Sequence, residues 1–163
     1  MPSPDRVAPR PPAAAGSLPA AVQAWESLFR AQVAVMRRLQ ADDTWDEVGI
    51  GEYDVLFTLA GCGERAMRLR ELNRYVLLSQ PSLSRLVDRL SDRGLLVRRP
   101  DPGDGRGTVV ALTDAGAALQ QRVGRRHVQS IHRLLGAALD DDELATLARL
   151  TQELRSGVEA STR

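Results

Sequence analysis

The 163-residue sequence contains no lysine; all 22 of its basic residues are arginine. Its one cysteine, Cys62, rules out an internal disulfide and a cysteine-rich zinc site. Aromatic residues make up only 4% of the chain, so Leu, Val and Ala must build most of the core. No apolar run approaches the roughly 18 residues of a membrane-spanning helix. The N-terminal residues carry no apolar stretch of secretory type. These absences lead us to expect a soluble, cytoplasmic protein that does not engage a membrane. Apolar residues at 43% and charged residues at 26% suit an ordinary globular domain, and the length suits one such domain with a helical extension.

The net charge of +1 hides an uneven distribution. Ten arginines fall within residues 65–106 against five acids, a local net of +5, while the remainder of the chain sums to −4. Arginine in place of lysine fits a codon preference, but a codon preference does not explain the local excess. A basic middle inside an acidic frame suggests one surface that meets a polyanion.

Residues 1–17 hold five of the nine prolines and no periodic apolar pattern, which reads as a flexible tail. From about Pro19 the spacing of Val22, Trp25, Phe29, Val33, Met36 and Leu39 predicts an amphipathic helix. The acids Asp42, Asp43, Asp46 and Glu47 follow as a polar connection. A second helix is expected over Gly51–Leu59, with Tyr53, Leu56, Phe57 and Leu59 as its apolar positions, stopped at Gly61-Cys62-Gly63. A third begins near Arg70 and carries Leu72, Tyr75 and Val76 inward. Ser79 looks like the N-cap of a fourth, with Pro81 in its first turn and Gly94 after its end. Leu95–Arg99 and Thr108–Leu112 are β-prone runs around a turn-rich segment, hence a hairpin. Thr113 caps a long helix from about Asp114 to Leu139, and Asp140 or Asp141 caps a last one to about Ala160. The fold class is therefore mainly α with one small β-hairpin.

The tight turn between the third and fourth helices has helix-turn-helix spacing. At 100° per residue, Leu83, Leu86, Val87 and Leu90 share the buried arc of the fourth helix. Pro81, Arg85 and Asp88 lie opposite, flanked by Ser82, Ser84 and Arg89. Its N-terminal half thus presents Gln80, Ser82, Ser84 and Arg85, side chains able to hydrogen-bond base edges. Taken alone, this is equally an amphipathic helix whose polar face meets water. The hairpin tip that follows bears Arg106 among glycines and is narrow enough for a minor groove. It is not a phosphate loop, because it does not lead from a strand into a helix with a lysine. Helix-turn-helix followed by hairpin, in that order and inside the basic window, is the strongest signal in the chain.

The segment LSQPSLSRLVDRLSDRGLLVRRPDPGDGRGTVVALTDAG resembles the winged-helix core of the MarR family of bacterial transcriptional regulators. The resemblance rests on the SRLVDRL…RGL helix, the R..D..D.R hairpin and the LT..G start of the next helix. It implies a winged helix-turn-helix lobe over 51–113, with residues 18–43 and 114–160 forming dimerisation helices. It implies a homodimer on a pseudo-palindromic duplex DNA, acting as a repressor, with a small-molecule effector of unknown identity and no cofactor. Carried over by motif, Gln80, Pro81, Ser82, Ser84 and Arg85 would face the major groove and Arg106 the minor groove; Ser79, at the cap, and Arg89, on the flank, complete the candidate DNA-binding set. Asp104 would support the tip arginine. Arg70 departs from the pattern, standing where the third helix often opens on Ser or Thr, and could touch phosphate.

Other candidates carry less. Cys62 lies in a Gly-Cys-Gly turn and reads as structural or incidental, with a redox switch the alternative. His127 and His132 are five apart and share no face for zinc, while Arg125-Arg126-His127 reads as solvated, with phosphate contact the alternative. Asp140 to Glu143 suits helix capping. Trp25, Phe29, Trp45, Tyr53 and Phe57 are core residues or, by the resemblance, the walls of an effector pocket. No catalytic set has supporting context, so no enzyme is expected. The alternative to a DNA-binding regulator is a winged-helix module that binds protein instead.

Overall fold

The computed structural model describes residues 16–76 and 78–161, and only the backbone of Gly105 and Arg106. The expected tail of residues 1–17 lies outside the described residues except for Gly16 and Ser17. The chain divides into two compact units, the first ending at Arg38 and the second beginning at Leu39. The first is formed by helix α1 (Leu18–Gln40), which runs on into the start of the second. The Ser17 hydroxyl accepts from the Ala20 N–H at its start, and Pro19 occupies the first turn, where no amide is needed. Trp25 and Phe29, one turn apart, stack at 5.9 Å and are exposed.

The second unit runs through a 3₁₀ turn (Asp43–Trp45), α2 (Ile50–Ala60), β1 (Ala66–Arg68), α3 (Leu69–Leu72), α4 (Gln80–Asp92), β2 (Leu96–Asp101), β3 (Asp104–Leu112), α5 (Asp114–Leu135) and α6 (Asp141–Ser161). Its core gathers Val55, Leu56 and Leu59 of α2, Leu72 of α3, Leu83, Val87 and Leu90 of α4, Val110 of β3 and Val123 of α5, all fully buried. Leu86 joins them, so the whole predicted arc of the fourth helix is inside. The antiparallel sheet has the order β1-β3-β2. Thr113 ties the sheet to α5: it caps the Gly116 N–H at 3.0 Å and donates to the carbonyls of Gly94 and Leu95. Gly116 is obligatory there, since a Cβ would sit 2.2 Å from the Leu95 carbonyl oxygen.

Several expectations are corrected. A third strand, β1, was not foreseen; it pairs Ala66–Arg68 with Val109–Ala111. The hairpin strands run further toward the tip than expected, to the pair Asp101↔Asp104. Pro100 is tolerated because β2 is an edge strand and the register slips directly after it. The third helix begins at Leu69, near Arg70 as expected, but is only one turn long. After Leu72 the backbone tightens to i→i+3 bonds (Arg74 to Glu71, Tyr75 to Leu72), which rotates Tyr75 outward to 68% exposure. Phe57 is likewise exposed, against Tyr53 at 6.0 Å. The long helix stops at Leu135, where Gly136 closes it with a bond to the His132 carbonyl. Asp140 caps α6 through a reciprocal pair with Glu143, at 2.9 and 3.0 Å.

The acidic connection is more than a solvated link. Arg122, Arg126 and Arg133 of α5 pair in turn with Glu47 (2.7 Å), Asp46 (2.9 Å) and Asp42 (3.1 Å). The Asp42 carboxylate also accepts from the hydroxyls of Thr44 and Ser130, bonds that hold its pKa at about 2, below the ordinary 3.8. Among the described residues no helix is long and apolar enough to cross a membrane.

Candidate nucleic-acid interface

Helix α4 opens at Ser79, whose side-chain oxygen accepts from the Ser82 N–H and whose hydroxyl donates to the Ser82 Oγ at 2.9 Å. Ser79 thereby leaves Gln80 and Pro81 exposed at the helix tip, with no acid in the first turn to repel an anion. Arg85 is exposed one turn along and donates to the Ser82 Oγ at 3.3 Å, which holds the guanidinium over the N-terminal half. These residues form one continuous polar surface opposite the buried arc, as the helical spacing requires.

Two sets of arginines attach this helix to its surroundings. At its C-terminal end, Arg93 and Arg89 reach Glu52 of α2 at 3.2 and 3.7 Å, and Arg93 also donates to the Glu47 carbonyl. Arg89 is thus drawn toward α2 and bonds the Arg85 carbonyl as well. On the sheet side, Arg98 of β2 donates to Asp88 at 2.7 Å and to the Ser84 Oγ at 3.1 Å. The Ser84 hydroxyl therefore already serves as an acceptor within the fold.

Beside the tip of α4 lies a cleft of about 280 Å³ lined by Arg68, Arg70, Gln80, Asp101, Asp104 and Thr108, among others. Arg68 binds the buried Asp101 at 2.5 Å, and Asp101 accepts the Gly103 N–H across the hairpin turn at 2.9 Å. The Gly103 amide, with the Arg68 guanidinium, holds the Asp101 carboxyl below the usual carboxylate range. Arg70 and Asp104 pair across the cleft at 3.6 Å. Arg70 follows a helix start that has no side-chain cap, since the N-cap residue is Arg68. Arg106 lies on β3 near the tip, and its side chain is outside the described residues.

Of the residues singled out in the sequence, Ser79, Gln80, Pro81, Ser82 and Arg85 share one surface; Arg70, Gln80 and Asp104 share the cleft. Arg68, Asp101 and Arg98 were missed. The signal for the first two was faint, because β1 has three residues and no room to show alternation. Arg98 was hidden because nothing in the one-dimensional pattern aligns a strand arginine with helix positions ten and fourteen residues upstream.

The sequence matches the MarR family over residues 48–107. An HTH-type transcriptional regulator of Mycobacterium leprae is 31% identical over 132 residues, which cover 78% of this chain and 89% of that one. This chain belongs to the MarR family. The multiple antibiotic resistance protein MarR of Salmonella typhimurium is 37% identical over 84 residues, 52% of this chain and 58% of that protein, so the match spans little more than half its length. A mutant of Escherichia coli MarR, crystallised with operator DNA, superimposes with a TM-score of 0.68 at 26% identity, covering 85% of this chain and 99% of that one. Sco3205 of Streptomyces coelicolor, solved with DNA, shares the fold with a TM-score of 0.73 at 24% identity over 90% and 92% of the chains.

The remaining aromatics of this MarR-family chain divide between core and surface. Trp45 and Tyr53 pack around His127 at 5.0 and 5.4 Å. His127 is half-buried, and burial pushes its pKa below the ordinary 6.5. It is therefore not part of a solvated basic triplet with Arg125 and Arg126. Tyr53 and Phe57 also line a groove of about 490 Å³ between α2 and α5, with Gln120, Gly124 and Val128. Cys62 is a free, half-buried thiol that donates to the Thr58 carbonyl at 3.3 Å.

Proposed function

We propose that this chain is a transcriptional regulator, a repressor, that binds duplex DNA as a homodimer on a pseudo-palindromic site. The observation that carries this reading is the tip of α4. There exposed Gln80, Pro81 and Arg85, with half-buried Ser82 between them, form a surface with no acid in the first turn, on a helix clamped from both flanks. Gln offers paired donor and acceptor groups to adenine, and Arg a bidentate fork to guanine. The positive end of the α4 dipole faces the same way and favours phosphate. Relatives of the family crystallised with DNA support the same assignment. Ser79 shapes the tip, Arg70 and Arg89 reach phosphate on either side, and Arg106, supported by Asp104, enters the minor groove. In the dimer, residues 18–43 and 114–160 join the copies and set two α4 helices about 34 Å apart, one turn of duplex. A small-molecule effector occupies the groove between α2 and α5, in keeping with a MarR-family regulator solved with its natural ligand. The protein works in the cytoplasm, has no catalytic activity and needs no cofactor.

The test is fluorescence anisotropy of the purified protein with DNA from upstream of its own gene and with random DNA, at two salt concentrations. Expected is a preference for the upstream fragment and a steep salt dependence; six to ten arginine–phosphate contacts predict a loss of about 10³–10⁵ in affinity from about 50 to 200 mM salt. No binding to either fragment at low salt would overturn the reading and leave a winged-helix module that binds protein.

A further inference from the structure

Along β2 the side chains that face α4 begin with buried Leu96 and continue, two residues on, with Arg98. Arg98 carries that row out of the core to the polar flank of α4. There its two terminal nitrogens each find one acceptor: Asp88 Oδ1 at 2.7 Å and Ser84 Oγ at 3.1 Å. Ser84 and Asp88 are one helical turn apart, so a planar guanidinium spanning both resists rotation of the helix about its own axis. The aliphatic stripe Leu83, Leu86, Val87 and Leu90 fixes how deep α4 sits, but side chains of this kind tolerate small rotations. From this geometry we propose that Arg98 is a positioning residue which, through Asp88 and Ser84, sets the roll of α4 against the β2–β3 hairpin. Helix tip and hairpin then meet two adjacent grooves as one rigid piece. The proposal rests on the DNA-binding reading and deepens it. Ser84 belongs to the clamp and not to the base-reading surface, and Asp88, an acid on the face turned to a polyanion, is kept for its geometry.

The two explanations of Asp88 differ in sign. If Asp88 were only a solvated acid, Asp88→Asn would remove repulsion and tighten binding to all DNA. If it holds the clamp, Asp88→Asn weakens binding to the selected upstream fragment while binding to random DNA stays level or rises. The measurement is anisotropy with both fragments for wild type, Asp88→Asn, Arg98→Lys and the double variant. Arg98→Lys keeps the charge and loses the fork. Each single variant should lower the ratio of upstream to random affinity about tenfold, and the double variant should be no worse than either single, the non-additivity of a directly coupled pair. Retained binding to random DNA shows in the same experiment that each variant is folded. Ser84→Ala removes one acceptor and leaves all charges, and should lower the ratio about threefold. An unchanged or raised ratio for Asp88→Asn, or strictly additive single effects, would overturn the proposal. Failure of the DNA-binding reading looks different, because wild type itself would then bind neither fragment at low salt.

Discussion

At Gly107 the hairpin has no room for a methyl group: a Cβ would lie 2.8 Å from the Asp101 Cβ and 3.0 Å from its Oδ2. Asp101 cannot retreat without leaving Arg68 and the Gly103 amide. Gly107→Ala should therefore cost on the order of 1–3 kcal/mol by overpacking, read as a lowered denaturation midpoint, and should loosen the hairpin that carries Arg106. An unchanged midpoint would mean that Asp101 has a second position of equal energy. Arg85 is tested in the opposite way, because it is exposed and its guanidinium bonds only to Ser82 among the contacts of α4 described above. Arg85→Ala should leave the midpoint unaltered while costing about 1–3 kcal/mol of binding to the upstream fragment and relaxing the preference for guanine at one position. Arg106→Ala should weaken binding chiefly where the minor groove is narrow. Equal binding by both variants and wild type would remove these residues from the interface.

Among the elements, α4 was the most legible in the sequence, since a serine cap, a proline in the first turn and four aliphatics at helical spacing all point to the same helix. Ser79→Ala should cost about 1 kcal/mol by leaving the Ser82 amide without its cap, a drop visible in thermal unfolding. The hairpin was legible in kind but not in length, because Pro100 masks a strand that the sheet edge permits. β1 was illegible: three residues define a strand only once Val109–Ala111 lie beside them. The partners of the acidic connection were hidden for a related reason. Asp42, Asp46 and Glu47 look solvated until α5, some eighty residues later, brings Arg133, Arg126 and Arg122 to them. This contact has a pH signature. Asp42 is held at about 2 in the fold against an ordinary 3.8, so its contribution is complete above the unfolded value and is lost as pH falls from there through about 2. His127, whose pKa burial lowers from 6.5, acts earlier: the unfolded chain takes up its proton first, so stability declines as pH falls below about 6.5. Denaturation midpoints measured against pH should therefore show two separate acid steps. Asp42→Asn should shrink the lower one, to which Asp46, Glu47 and Asp101 also contribute, and His127→Gln should erase the upper. A single step insensitive to both substitutions would refute this assignment.

For the whole molecule, the distribution of apolar surface carries the argument. Helix α6 has no buried residue, yet Leu147, Leu150, Leu154 and Val158 recur on one stripe and are 40–59% exposed. Helix α1 repeats the pattern with Val22, Trp25 and Phe29, 48–63% exposed. Exposed leucines are ordinary when scattered, but aligned over several turns they leave a face that water disfavours and that a second copy would cover. A monomer of this composition gains nothing from the periodicity, whereas a dimer buries it and also sets the spacing of the two α4 helices. Leu150→Asp, in the middle of the α6 stripe and half-exposed in the single chain, should hardly disturb the fold of one copy. It should place a charge inside the interface of two, where desolvation is costly. Sedimentation at micromolar concentration should then give a dimer for wild type and a monomer for the variant, with binding to the upstream fragment reduced toward that of a single winged helix. A monomeric wild type would remove the need for a pseudo-palindromic site and leave both stripes to a different partner protein.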